Sequence, residues 1–82
     1  PMLKGCLSGP LKGAADGAAS VSINALTIRE LLRKLVTQYP DMQHQLDDGI
    51  AVSVNGEIFR DSWSEEIPEG AEVFLLPRIQ GG

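Results

Sequence analysis

The chain has a single cysteine, Cys6, and a single histidine, His44. One cysteine cannot close a disulfide within the chain, and one Cys with one His cannot complete a tetrahedral zinc site built from Cys and His alone. Basic residues are scarce: 7 Lys+Arg stand against 11 Asp+Glu, giving a net charge of −4 and a pI near 4.7. Binding to nucleic acid or an anionic membrane needs a basic patch that displaces counterions, so neither partner is expected. Long apolar runs are missing as well. The longest, Val73-Phe74-Leu75-Leu76, falls far short of the ~20 residues of a membrane-spanning helix. No charged start followed by an apolar stretch marks a secretory signal, and a cytoplasmic location is expected. What remains is 82 residues, 43% of them hydrophobic, which is enough for one small folded domain and too apolar for intrinsic disorder.

The clearest element is a helix over residues 28–39. Ile28, Leu31, Leu32, Leu35, Val36 and Tyr39 follow i, i+3, i+4, i+7, i+8, i+11 spacing, which makes one buried stripe. Thr27 is placed to cap it, and Glu30 three positions on completes a capping box. Leu26 before the cap can staple to Leu31, Glu30 can pair with Lys34, and Pro40 ends the helix. After a polar stretch over residues 41–49, Asn55-Gly56 predicts a two-residue hairpin with a type I′ turn, because both central residues of that turn need φ > 0. Val54 then faces Glu57 and Val52 faces Phe59. Ile50, Val52, Val54 and Phe59 share one side of the sheet, and Ala51, Ser53, Ile58 and Arg60 the other. Pro68-Glu69-Gly70 predicts another turn, followed by an interior strand over residues 71–76 that is apolar on both faces. In the first quarter, residues 2–7 and 19–24 read as strands, although Gly5 weakens the first. The Gly- and Ala-rich residues 8–18 between them read as a long, mobile connection. The expected fold class is α+β: a mixed sheet of four to five strands with one main helix packed on a face.

Internal catalytic groups are poorly supplied. His44 lies in a polar stretch with no Ser or Cys nucleophile beside it, and reads as a surface residue. Cys6 reads as a small buried apolar side chain, and Trp63 as a cover for the edge of the core. Lys12 precedes Gly13 instead of following the last glycine of its loop, so the order required of a phosphate-binding Walker loop is absent. The acidic pairs Asp47-Asp48 and Glu65-Glu66 read as solvated turns. Neither a metal site nor a catalytic residue within the chain is expected. Charge divides unevenly, with +3 over residues 1–40 and −7 over residues 41–82.

The end of the sequence is less generic. Pro77 has no N–H to donate to a ladder, and Arg78-Ile79-Gln80 leads to Gly81-Gly82. The expected division is a domain over residues 1–76 and a flexible tail over residues 77–82, which can project about 20 Å at ~3.3–3.6 Å per residue. A free carboxylate is ionised at neutral pH and is a very poor electrophile, so coupling it requires activation, typically as an acyl adenylate. Glycines without Cβ suit the narrow channel through which an activating enzyme would draw such an end.

The Thr-capped amphipathic helix, "VSVNGEIF", "IPEGAEVFLLP" and the terminal "GG" together resemble the ubiquitin-like β-grasp sulfur carriers of the MoaD/ThiS family. The resemblance covers residues 19–82, and "EVFLLPRIQGG" is its most specific part. It implies a β-grasp fold and a protein co-substrate in place of an enzyme. Gly82 would be adenylated by an ATP-dependent activating enzyme and then converted to a thiocarboxylate by sulfur from a persulfide-bearing sulfurtransferase. Gly81, Gln80 and Ile79 would thread into partner sites, and Phe74, Leu76 and Arg78 would form the docking surface. No cofactor would be bound, since ATP belongs to the activating enzyme. The chain length and the extended 8–18 segment look most like the small subunit of molybdopterin synthase, with its large subunit as the sulfur acceptor. Arg78 stands where molybdopterin-type tails carry a second proline. Carriers for cysteine, thiamine, tRNA thiolation or specialised metabolites share the same tail, as do ubiquitin-like modifiers joined to lysine.

Overall fold

The computed structural model describes residues 2–78. Along the chain run β1 (Met2–Leu7), α1 (Pro10–Ala14), β2 (Ser20–Asn24), α2 (Ile28–Gln38), α3 (Met42–Asp48), β3 (Ile50–Val54), β4 (Glu57–Phe59) and β5 (Val73–Pro77). α2 forms where its periodicity predicts, burying Ile28, Leu31, Leu32 and Leu35. Thr27 Oγ1 accepts the Glu30 N–H at 3.2 Å, satisfying one of the donors that a helix start leaves open. The Glu30 carboxylate accepts the Leu26 N–H at 2.7 Å, so the return bond of the box reaches one residue further back than expected. That bond, followed by the one from Lys34, holds the Glu30 carboxyl below its ordinary 4.5. Lys34 Nζ also lies 3.3 Å from the same carboxylate, as the i,i+4 spacing predicts. At the far end the Tyr39 N–H donates to Leu35 O at 2.8 Å, and Pro40 follows.

The hydrophobic staple does not form, since Leu26 is 60% exposed. Its N–H is bound to Glu30 and its carbonyl accepts the Ile67 N–H at 2.8 Å. With the backbone tied on both sides, the side chain turns outward, and Ala25 and Ile67 are the buried residues there.

The five strands form one mixed sheet in the order β2-β1-β5-β3-β4. β1 and β5 run parallel at its centre, and every other pair is antiparallel. Val54↔Glu57 and Val52↔Phe59 pair as the Asn-Gly hairpin requires, and Asn55 and Gly56 both have positive φ. The inward faces of β1, β2, β3 and β5 supply Leu3, Leu7, Val21, Ile23, Val52, Val73 and Leu75 to a core shared with α2. Burying each such side chain contributes about 1.5–3 kcal/mol before the cost of ordering the chain. Gly5 also points inward: a Cβ there would lie 3.2 Å from Leu75 Cδ1, so the glycine makes room for a wholly buried leucine.

Three expectations are corrected. Residues 8–18 are not simply a mobile connection, because Pro10–Ala14 is helical, with proline in its first turn and Leu11 buried. Leu11 and Ala15 are both wholly buried at i,i+4 spacing, which anchors the segment among its glycines. The polar stretch 41–49 holds α3, which turns Met42 into the core and leaves Leu46 half-buried. Cys6 is half-buried, on the side of β1 opposite Leu3 and Leu7. At the other end β5 continues through Pro77, which pairs with Ile50, and the Arg78 N–H donates to Gly49 O at 3.0 Å. The expected residue 76/77 division therefore falls inside the ladder, and residues 79–82 lie outside the described range.

Candidate functional site

The chain reaches its last described residues along the central strand. β5 is held between β1 and β3, with Val73 and Leu75 wholly buried. Alternation along a strand sends Phe74 and Leu76 to the opposite face, away from α2. There Phe74 is 38% exposed and Leu76 half-buried. Register places Cys6 on one side of Phe74 and Ser53 on the other, with Ile58 one strand beyond. In the next row Leu76 sits opposite Ala51. Ile58 is 50% exposed, so this open face carries Phe74 and Leu76 on β5 and Ile58 on β4, with β3 between them. Ala51, Ile58, Arg60, Leu76 and Pro77 line a shallow cleft of about 410 Å³ on the same face.

Of the expected docking residues, the structure places Phe74 and Leu76 together on this face and Arg78 at the end of β5. Gly82, Gly81, Gln80 and Ile79 lie outside the described residues. Ile58 is an addition to the expected set. Its facing was legible from the hairpin alternation, but its nearness to Phe74 follows from β5 inserting beside β3, which no local pattern reveals. Among the described residues no group of His, Cys, Asp and Glu gathers as a metal site. His44 is exposed on α3 and Cys6 lies on β1, so the two belong to separate elements. No helix among the described residues is long and apolar enough to cross a membrane.

The sequence profile of the ThiS family matches residues 10–82. This chain belongs to the ThiS family. Its fold is the ubiquitin-like β-grasp fold of ThiS- and MoaD-type sulfur carriers, in agreement with the resemblance read from the sequence. Proteins of this kind are generally small non-catalytic carriers. Small archaeal modifier protein 1 from Haloferax volcanii superposes on this ThiS-family chain with a TM-score of 0.81 at 26% identity, covering 100% of both chains. In the complex of subunits 1 and 2 of molybdopterin-converting factor from Helicobacter pylori, the match has a TM-score of 0.71 at 23% identity, again covering 100% of both chains. In the BexX/CysO complex from Amycolatopsis orientalis it has a TM-score of 0.76 at 22% identity, covering 96% of this chain and 98% of that one. No curated protein sequence matches the chain.

Proposed function

We propose that this ThiS-family protein carries sulfur as a thiocarboxylate on Gly82 and is a co-substrate of other enzymes. The observation that carries the reading is a ThiS-family β-grasp domain whose central strand leads straight into Arg78-Ile79-Gln80-Gly81-Gly82. The Gly82 carboxylate attacks the α-phosphorus of ATP in an activating enzyme, and pyrophosphate leaves. A persulfide sulfur then displaces AMP, and a thiol cleaves the resulting acyl disulfide to leave the thiocarboxylate. Gly81 gives the slimness needed for threading, and Gln80 and Ile79 supply contacts that offset the cost of ordering the arm. Phe74 and Leu76 on the open face, with Arg78 at the base of the arm, dock the body.

Molybdopterin synthesis is the pathway we favour. Chain length and the structured 8–18 segment support it, together with the match to a subunit of molybdopterin-converting factor over the whole chain. The acceptor is then the large subunit of the synthase. Conjugation to lysine is the second reading, and the full-length likeness to an archaeal modifier protein favours it.

Incubation with a competent activating enzyme, ATP and a persulfide donor should change the intact mass by one oxygen-to-sulfur exchange at Gly82. An unchanged mass overturns the carrier reading. Isopeptide-linked ladders in cell extract, without free thiocarboxylate, would favour the modifier. Adding one residue after Gly82 abolishes both activities, whereas an interaction module with incidental glycines would tolerate it.

A further inference from the structure

The chain has four arginines, Arg29, Arg33, Arg60 and Arg78. All four line one groove of about 760 Å³. They come from separate parts of the fold. Arg29 and Arg33 are one helical turn apart on α2, Arg60 follows β4, and Arg78 follows β5. The Arg78 stem lies over Gly49, where a Cβ would sit 2.8 Å from its Cδ. All four are exposed.

The groove is not simply a basic patch. Val36, Leu46 and Trp63 lie half-buried along it and give it an apolar floor. Asp47 and Asp48 also line it, with Gln43 donating to Asp47 Oδ1 at 2.9 Å. Four arginines against two aspartates leave the lining net positive on a molecule of net charge −4. A guanidinium presents a planar fork that matches a carboxylate. A small inorganic anion would meet the arginines but leave the apolar floor bare. A peptide with both carboxylates and apolar side chains uses both parts. The acidic remainder of the surface repels such a peptide elsewhere and steers it here.

We propose that this groove docks an acidic, partly apolar segment of a partner protein; it shares Arg60 with the cleft on the open sheet face but does not include Phe74. The inference does not rest on chemistry at Gly82. It is tested on the full chain by fluorescence anisotropy, with a short fluorescein-labelled peptide of glutamates interspersed with leucines. Saturable binding is expected, weakened about tenfold by the double substitution Arg29→Ala/Arg33→Ala. Raising salt from about 0.05 M to about 0.5 M should weaken it further, because screening shortens the reach of the arginines. Alanine favours helix, so the double variant keeps α2, which circular dichroism verifies. Phe74→Arg should leave peptide binding unchanged.

No binding, or binding indifferent to the arginine substitutions, overturns the proposal. So does equal binding of the same peptide with lysines in place of glutamates. Full displacement by equimolar inorganic pyrophosphate would reassign the groove to simple anions. Concentration-dependent self-association that the double variant abolishes would reassign it to a second copy of this chain.

Discussion

Replacing Gly49 with alanine tests how the end of α3, the start of β3 and Arg78 after β5 share space. Gly49 has φ 100 and ψ 127, far from any conformation that residues with a Cβ adopt readily. Holding alanine there costs of order 1–3 kcal/mol. The added Cβ would also lie 2.8 Å from Arg78 Cδ and 3.4 Å from Arg78 Cβ, so the arginine stem must move. Its backbone cannot follow freely, because the Arg78 N–H is bound to Gly49 O at 3.0 Å. A total loss of about 2 kcal/mol is expected, a large part of the ~5–15 kcal/mol that holds a small domain together. At about 4–8 °C per kcal/mol for a domain of this size, the melting temperature falls by about 8–16 °C. Urea unfolding should show a lower midpoint with an unchanged slope. Repeating the substitution on an Arg78→Ala background removes the 2.8 Å approach to Cδ and keeps the dihedral cost, so the two changes should couple by at least ~0.5 kcal/mol. If Gly49→Ala is neutral to within ~0.5 kcal/mol, the close approach of Arg78 is refuted.

Leu11→Ala should destabilise the fold by about 2–5 kcal/mol in a urea titration, since Leu11 is wholly buried; a neutral result would return residues 8–18 to the status of a loose connection. Glu30 has its carboxyl lowered in the folded state, so its contribution is present above the unfolded value of 4.5 and is lost as pH falls through the lower folded value. The stability difference between the native chain and Glu30→Gln should therefore be constant near neutrality and close under acid, and a difference independent of pH would contradict the hydrogen bond from Leu26. Phe74→Arg should weaken binding to the activating enzyme at least about tenfold by calorimetric titration. Its melting temperature should stay unchanged, because Phe74 is already 38% exposed.

Much of the fold was legible where the relevant physics is local. The α2 stripe, the Thr27 cap and the Asn55-Gly56 turn depend on residues within four positions of one another, and each formed as expected. The failures share a cause. α1 and α3 are short, and each offers few apolar anchors, Leu11 and Ala14 with Ala15 just beyond the helix, and Met42 with Leu46. So few anchors give no periodicity above the surrounding glycines and polar residues. Such helices are stabilised by packing, α1 on α3 and β5, more than by their own sequence. Leu26 failed for a similar reason: the distant Ile67 holds its carbonyl and helps to turn its side chain outward.

The candidate site divides along the same line. The sequence by itself determined the family and the alternation that sends Phe74 and Leu76 to one face, because these are properties of neighbouring residues. Only the tertiary structure decided that β5 inserts between β1 and β3, which brings Ile58 onto the same face. It alone gathered four arginines, spread from residue 29 to residue 78, around one groove. Strand order and side-chain convergence are set by burial of the whole chain against itself, and that minimum has no signature in any short window of residues.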